Sequence, residues 1–189
     1  MDRRVTIGET FLALNLDKSV RILDVACGAG AVAEELVERG YTNIDGLDSM
    51  KGYLEIARSK KLYQNYFHHA VEPDKKLPIQ EQSYDVMLCC AGFFQGLMSP
   101  RVFPELVRIT KKGGILIWNI AEGYQHFPGD FEHYDQIIDE LRGSKKWDYL
   151  QPRQELNRIV FTDGGAAYLG GYSDVGLDTR GYIYTMTRL

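Results

Sequence analysis

Asp24 lies in the run Arg21-Ile22-Leu23-Asp24-Val25-Ala26-Cys27-Gly28-Ala29-Gly30, an apolar strand pattern that carries one acid and then turns through two glycines into a helix. Gly28 and Gly30 let the backbone take positive φ and approach a ligand closely. A loop made to hold a pyrophosphate has little use for a carboxylate beside it, because like charges at short range are costly in a partly dry site. A loop made to hold a cation gains from one. The chemistry these residue types favour is the capture of a positively charged ligand. S-adenosylmethionine carries a sulfonium and an ammonium, and on that reading Asp24 faces the positive end of its methionine moiety.

Such a carboxylate needs a rigid strand beneath it and a helix after it. Residues 21–26 form the candidate strand, and 29–39 the helix, with Ala29, Val32, Ala33, Leu36 and Val37 on one face and Gly40 placed to end it. Residues 43–48 read as a second strand ending in Asp48; Ser49 is expected to cap the next helix, whose Met50, Leu54 and Ala57 share a face. Residues 65–70 give a third strand and 84–90 a fourth, apolar after Asp85 as expected of a strand covered on both faces. A helix starts in the region of Ser99-Pro100, with its regular part from Phe103, and Lys111-Lys112-Gly113-Gly114 is expected to close it. Residues 115–120 read as a fifth strand and 131–141 as an amphipathic helix.

Strands alternating with helices at short spacing predict an α/β domain with a mainly parallel sheet. The last 40 residues differ: 155–161 and 182–188 read as two strands with no helix between them, hence an antiparallel hairpin on the sheet edge. The intervening 163–181 is rich in Gly and Asp and has weak structural signals.

Size and composition narrow the classes. The chain of 189 residues suits a single domain over 1–189, with a short N-terminal segment (1–20), a ligand-binding core (21–120) and a substrate side with edge strands (121–189). Its net charge of −4 argues against a dedicated nucleic-acid binder. The longest apolar run, from Val86 to Phe94, is far too short to cross a bilayer, and no apolar run backs the charges of Met1 to Thr6. The 3 cysteines sit in apolar contexts and do not form a disulfide framework, so reduced thiols in the cytoplasm or nucleus are expected. His68 and His69 are adjacent on a strand, face opposite ways and are poorly placed to share a metal, so no metal is expected.

Four stretches in order resemble the class I S-adenosylmethionine-dependent methyltransferases: Ile22 to Gly30; Gly46-Leu47-Asp48-Ser49-Met50; Leu77-Pro78 with Ser83-Tyr84-Asp85-Val86-Met87-Leu88; and Phe103 to Leu116. Within that class, Val25-Ala26-Cys27-Gly28, Lys61-Leu62-Tyr63 and Ala91-Gly92-Phe93 are most similar to the methyltransferase-like proteins related to the Williams–Beuren region. The resemblance covers roughly 20–120. It implies a Rossmann-like, seven-stranded, mainly parallel sheet with an antiparallel C-terminal hairpin and helices on both faces. It implies S-adenosyl-L-methionine as cosubstrate, wrapped at its methionine end by Asp24, Ala26, Gly28 and Gly30. Asp48, with Ser49, would take the ribose hydroxyls, Met50 the adenine face, and Val71 the adenine flank. Where the commoner pattern has an acid after the third strand, this chain has His68-His69-Ala70-Val71-Glu72, so Glu72 is a substitute. Cys90 and Ala91 would line the pocket beside the sulfonium.

In-line transfer of an activated methyl group draws much of its catalysis from alignment, with a base only where the acceptor must lose a proton. Glu122, Tyr124 and His126, which follow the fifth strand, are the candidates, with mere loop residues as the alternative. The acceptor is expected to be a small molecule. Two other readings stand beside this one. Gly28-x-Gly30-x-x-Ala33 with Asp48 about 20 residues on fits a nicotinamide-dinucleotide loop loosely, against which Asp24 speaks. A methyltransferase-like fold kept for binding alone is the other, motivated by the short stretch before the first strand.

Overall fold

The computed structural model describes residues 6–94, 96–123, 129–159 and 179–189. Seven strands form one sheet in the order β3-β2-β1-β4-β5-β7-β6. β1 (Ile22–Val25), β2 (Ile44–Asp48), β3 (Tyr66–His68), β4 (Tyr84–Cys89) and β5 (Thr110–Ala121) run parallel. β6 (Trp147–Ile159) and β7 (Thr179–Arg188) form the antiparallel hairpin, and β7 inserts between β5 and β6. Every residue of β1 and β2 is buried, as expected of central strands covered on both faces, although the two strands carry three acids. Asp45 is fully satisfied, by Arg21 (2.9 Å), the Tyr84 hydroxyl (2.8 Å) and Asn65.

The sheet order reverses beside β1. From β1 the chain steps through α2 (Ala31–Glu38) and α3 (Lys51–Ser59) toward β3; from β4 it steps the other way through α4 (Phe103–Ile109). Right-handed crossovers in opposite directions put α2 and α3 on one face and α4 on the other. The crevice at the carboxyl ends of β1 and β4 is the topological switch point, where open α/β sheets take their ligands.

Several local expectations change. A helix, α1 (Ile7–Ala13), occupies part of the N-terminal segment that the sequence reading left without an element. Its signal is Thr6-x-x-Glu9: the Thr6 hydroxyl accepts from the Glu9 amide while the Glu9 carboxylate accepts from the Thr6 amide. Ile7 and Phe11 enter the core, with Phe11 edge-on to Tyr41 at 4.7 Å. Ser49 does not cap α3; the capping position is Met50, whose side chain makes no capping hydrogen bond. Met50 is 39% exposed and does not share the burial of Leu54 and Ala57, because it stands at the turn before the helix. Lys111 to Gly114 do not close a helix. α4 stops at Ile109 and these residues open β5 through a break in register between Tyr84↔Thr110 and Val86↔Ile115. Gly114 is required there, since a Cβ would stand 2.9 Å from the Asp85 carbonyl oxygen.

β6 starts well before residue 155. Trp147 anchors it, fully buried, donating from Nε1 to the Ile138 carbonyl of α5 (Tyr134–Gly143). Trp118 of β5 stacks on Tyr184 of β7 (5.1 Å, 2°) and on Trp147 (5.3 Å, 14°), which locks the hairpin to the parallel part of the sheet. The segment 131–141 begins as a 3-10 turn, Asp130–His133, and becomes regular at Tyr134. Most of 163–181 lies outside the described residues.

Candidate functional site

Asp24 is 1% exposed near the carboxyl end of β1. Its Oδ2 accepts from the Tyr63 hydroxyl at 2.7 Å, and its Oδ1 has no hydrogen-bond partner among the described residues. Burial pushes the carboxyl up from its ordinary 3.8 to about 7; the Tyr63 bond opposes the rise and the nearby Asp48 charge adds to it. A buried carboxylate oxygen without a donor is expensive. Asp45, one strand away and fully paired, shows that this chain can satisfy a buried acid when the fold requires it.

The turn after β1 supplies the rest of the cradle. Ala26 (φ 53°), Gly28 (φ 54°) and Gly30 (φ 89°) all take the left-handed region. Around Gly28 nothing stands within 4 Å of where a Cβ would be, so its backbone faces open space. Gly30 is packed instead: a Cβ there would stand 2.3 Å from Leu62 Cδ1. Asp48 ties this turn to β2. Its Oδ2 accepts from the Gly28 amide (2.8 Å) and its Oδ1 from the Met50 amide (2.7 Å). Each carboxylate oxygen keeps a further acceptor site after one such bond.

Tyr63 was noted in the sequence only as part of a resemblance, and its role here comes from packing. It lies over Gly46, where a Cβ would meet its ring at 2.7 Å, and so reaches Asp24. A glycine inside the apolar strand 44–48 was the signal for that close approach.

The remaining sequence candidates divide. Ser49 and Met50 are exposed beside Asp48, and the Ser49 carbonyl lies 3.0 Å from His68 Nε2. Val71 is half-buried against the core, and Glu72 is exposed and paired with Lys75 at 2.9 Å. Cys90 is half-buried after β4, and burial, then the Asp24 and Glu35 charges, push its thiol up to about 12, so it is an inert thiol. Ala91 (φ 56°) follows, its amide donating to Asn119 Oδ1 at 2.6 Å. Asn119, 6% exposed, was not singled out in the sequence. Glu122 is exposed just past β5, its backbone amide bonded to the Arg180 carbonyl. Tyr124 and His126 lie outside the described residues. Among the described residues, no group of three or more His, Cys, Asp or Glu is placed to hold a metal, and no helix is long and apolar enough to cross a membrane.

A seven-stranded sheet of this order, with an acid at the ends of both β1 and β2 beside the switch point, defines the class as Rossmann-like methyltransferase folds. Residues 23–118, just over half of the chain, match the model of the methyltransferase domain family, and the chain belongs to that family. It is 37% identical over 132 residues to methyltransferase-like protein 27 of Homo sapiens, covering 70% of this chain and 53% of that protein. It is 29% identical over 112 residues to the ubiquinone/menaquinone biosynthesis C-methyltransferase UbiE of Campylobacter jejuni, covering 56% of this chain and 46% of that one. The chain thus spans about half the length of these curated relatives. Among solved structures, a methyltransferase from Thiobacillus denitrificans in complex with S-adenosyl-L-homocysteine superposes with a TM-score of 0.63 over 100% of this chain and 94% of that one, at 14% identity. The [4+2]-cyclase SpnF superposes with a TM-score of 0.69 over 96% and 81%, at 21% identity. Both likenesses are of fold.

Proposed function

We propose that this protein transfers a methyl group from S-adenosyl-L-methionine to a small-molecule acceptor. The observation that carries the reading is the bare Oδ1 of Asp24, buried at the switch point beside an open glycine turn. A cationic ligand placed there supplies the partner that the fold withholds, and favours the ionised form of the acid. A pyrophosphate placed there would meet Asp24 and Asp48 as like charges, which disfavours the dinucleotide reading.

The residues present fit the group. Asp24 would hold the positive methionine end, and the Gly28 backbone admits it closely. Asp48, anchored by two amides, would use its spare acceptor sites for the ribose hydroxyls. Met50, exposed beside Asp48, and Val71 would flank the adenine. When bound, S-adenosylmethionine supplies a methyl group already activated by positive sulfur. The work left to the chain is to align an acceptor with that methyl and exclude water. Glu122 is the described candidate for a proton acceptor past β5. A small-molecule acceptor, rather than nucleic acid, accords with the net charge of −4, and a cytoplasmic or nuclear setting with the free thiols.

The test is a thermal shift. S-adenosylhomocysteine is expected to raise the melting temperature and NAD(H) to leave it unchanged. Stabilisation by NAD(H) alone would replace the transferase with an oxidoreductase. No shift with either at millimolar ligand would leave a binding or scaffold protein. The acceptor itself is found by incubating metabolite extract with a labelled methyl donor and identifying the product.

A further inference from the structure

The Asn119 carboxamide is the buried polar group that cosubstrate binding leaves unused. Its Oδ1 is committed to the Ala91 amide at 2.6 Å, which settles which end of the amide is oxygen. Its Nδ2 carries two donors and makes no hydrogen bond to any described residue, although Asn119 is only 6% exposed. Among the described residues the fully enclosed atom without a partner is Asp24 Oδ1; Asn119 Nδ2 keeps some surface exposure, and so is available to an acceptor from outside the chain.

Strand register says where that acceptor would lie. Asp24 stands opposite Leu88, and Leu88 opposite Ile117. Side chains alternate along a strand, so Asn119, two residues further on in β5, shares the sheet face of Asp24. Asp24 and Asn119 therefore flank the switch-point crevice from β1 and β5, with Cys90, just past β4, between those strands. Asp48 lies on the opposite side of Asp24, on β2. Asn119 is thus on the side of the crevice away from the expected nucleoside, where an incoming acceptor would meet the methyl group.

The surrounding charge selects the ligand. Asp24 and Asp48 lie along the crevice, and Glu35 of α2, held by the Thr6 hydroxyl, acts with Asp24 to raise the Cys90 thiol. With the cosubstrate's cation paired to Asp24, a carboxylate ligand would still enter against the Asp48 and Glu35 carboxylates. A carbonyl or amide oxygen takes the Nδ2 protons without that cost.

We infer that Asn119 positions the methyl acceptor by donating from Nδ2 to a neutral carbonyl oxygen on it. This rests on the transferase reading and adds the chemical class of the acceptor. The test uses 15N-labelled protein saturated with S-adenosylhomocysteine, with the Asn119 side-chain amide resonance assigned by its loss in Asn119→Asp. That variant keeps an oxygen for the Ala91 amide but removes both donors. Acetamide is titrated as the neutral probe and sodium acetate as the anionic one. Acetamide is expected to move the Asn119 resonance saturably, at lower concentration than acetate, with the S-adenosylhomocysteine thermal shift retained in Asn119→Asp. The inference is overturned if neither probe moves the resonance or if acetate acts at lower concentration. It is also overturned if S-adenosylhomocysteine itself moves the resonance and blocks acetamide, or if Asn119→Asp folds and loses the thermal shift. Should the variant fail to fold, backbone-linked assignment of the wild-type side chain keeps the titration decisive. Failure of the transferase reading is seen separately, as no thermal shift in the wild type, while the titration without S-adenosylhomocysteine still reads the Asn119 site.

Discussion

Asp24→Asn should make the free protein more stable at alkaline pH and less stable at acid pH. The folded-state carboxyl titrates at about 7 against an ordinary 3.8. Below about pH 4 the group is protonated whether the chain is folded or not, and it costs nothing through ionisation. Between about pH 4 and 7 the unfolded chain ionises while the folded one keeps its proton, so stability falls as pH rises. Above about 7 the full cost of a buried charge, about 4 kcal/mol, is present. Asparagine removes that cost but buries an unpaired NH2, which takes back about 1–3 kcal/mol. The variant should therefore melt roughly 2–10 °C higher at about pH 8 and several degrees lower at about pH 4. Calorimetric melting of both proteins across that range measures it. A difference of one sign and constant size at every pH would refute the electrostatic account. Ligand binding should run the other way: S-adenosylhomocysteine should bind the wild type more tightly as pH rises through about 7, and Asp24→Asn should lose most of the response.

Three further outcomes follow from the same contacts. Tyr63→Phe removes the donor that holds Asp24 down, so the pH dependence of S-adenosylhomocysteine binding should shift to higher pH; a titration series of binding curves reads it. Asp48→Ala strips an acceptor from the Gly28 and Met50 amides, and should cost about 1–3 kcal/mol in the free protein as well as the ligand shift, measured by denaturant unfolding. Gly30→Ala meets both Leu62 and a positive φ, and should lower stability by about 1–3 kcal/mol; adding Leu62→Ala relieves the contact but not the backbone strain, so the double variant should not recover the native melting temperature.

Much of the candidate site was legible because strand-end chemistry is local. Asp24, Gly28, Gly30 and Asp48 announce themselves by being the wrong residues for an apolar strand or the only ones suited to a tight turn. The structure brings them together, with Asp48 bonded to Gly28. The structure takes Met50 off the buried face of Leu54 and Ala57, because helix periodicity assigns a face without knowing where the helix begins. Lys111 to Gly114 were misread because basic residues and glycines suit a helix end as well as an irregular strand entry. The helix at Ile7–Ala13 was missed although its capping pair, Thr6 and Glu9, was in plain view.

Asn119 and Tyr63 mark the boundary of what sequence carries. An asparagine at a strand end and a tyrosine after a helix have no pattern that sets them apart. Their roles arise from residues 28 positions away in one case and 39 in the other, across strands that pair only in the folded sheet. Residue order by itself determined the alternation of elements, the parallel sheet and the acidic, glycine-rich strand edge, because periodicity, turn geometry and charge act over a few residues. The tertiary structure alone decided that one oxygen of Asp24 is satisfied and the other bare, since desolvation and hydrogen-bond supply depend on which distant side chains arrive.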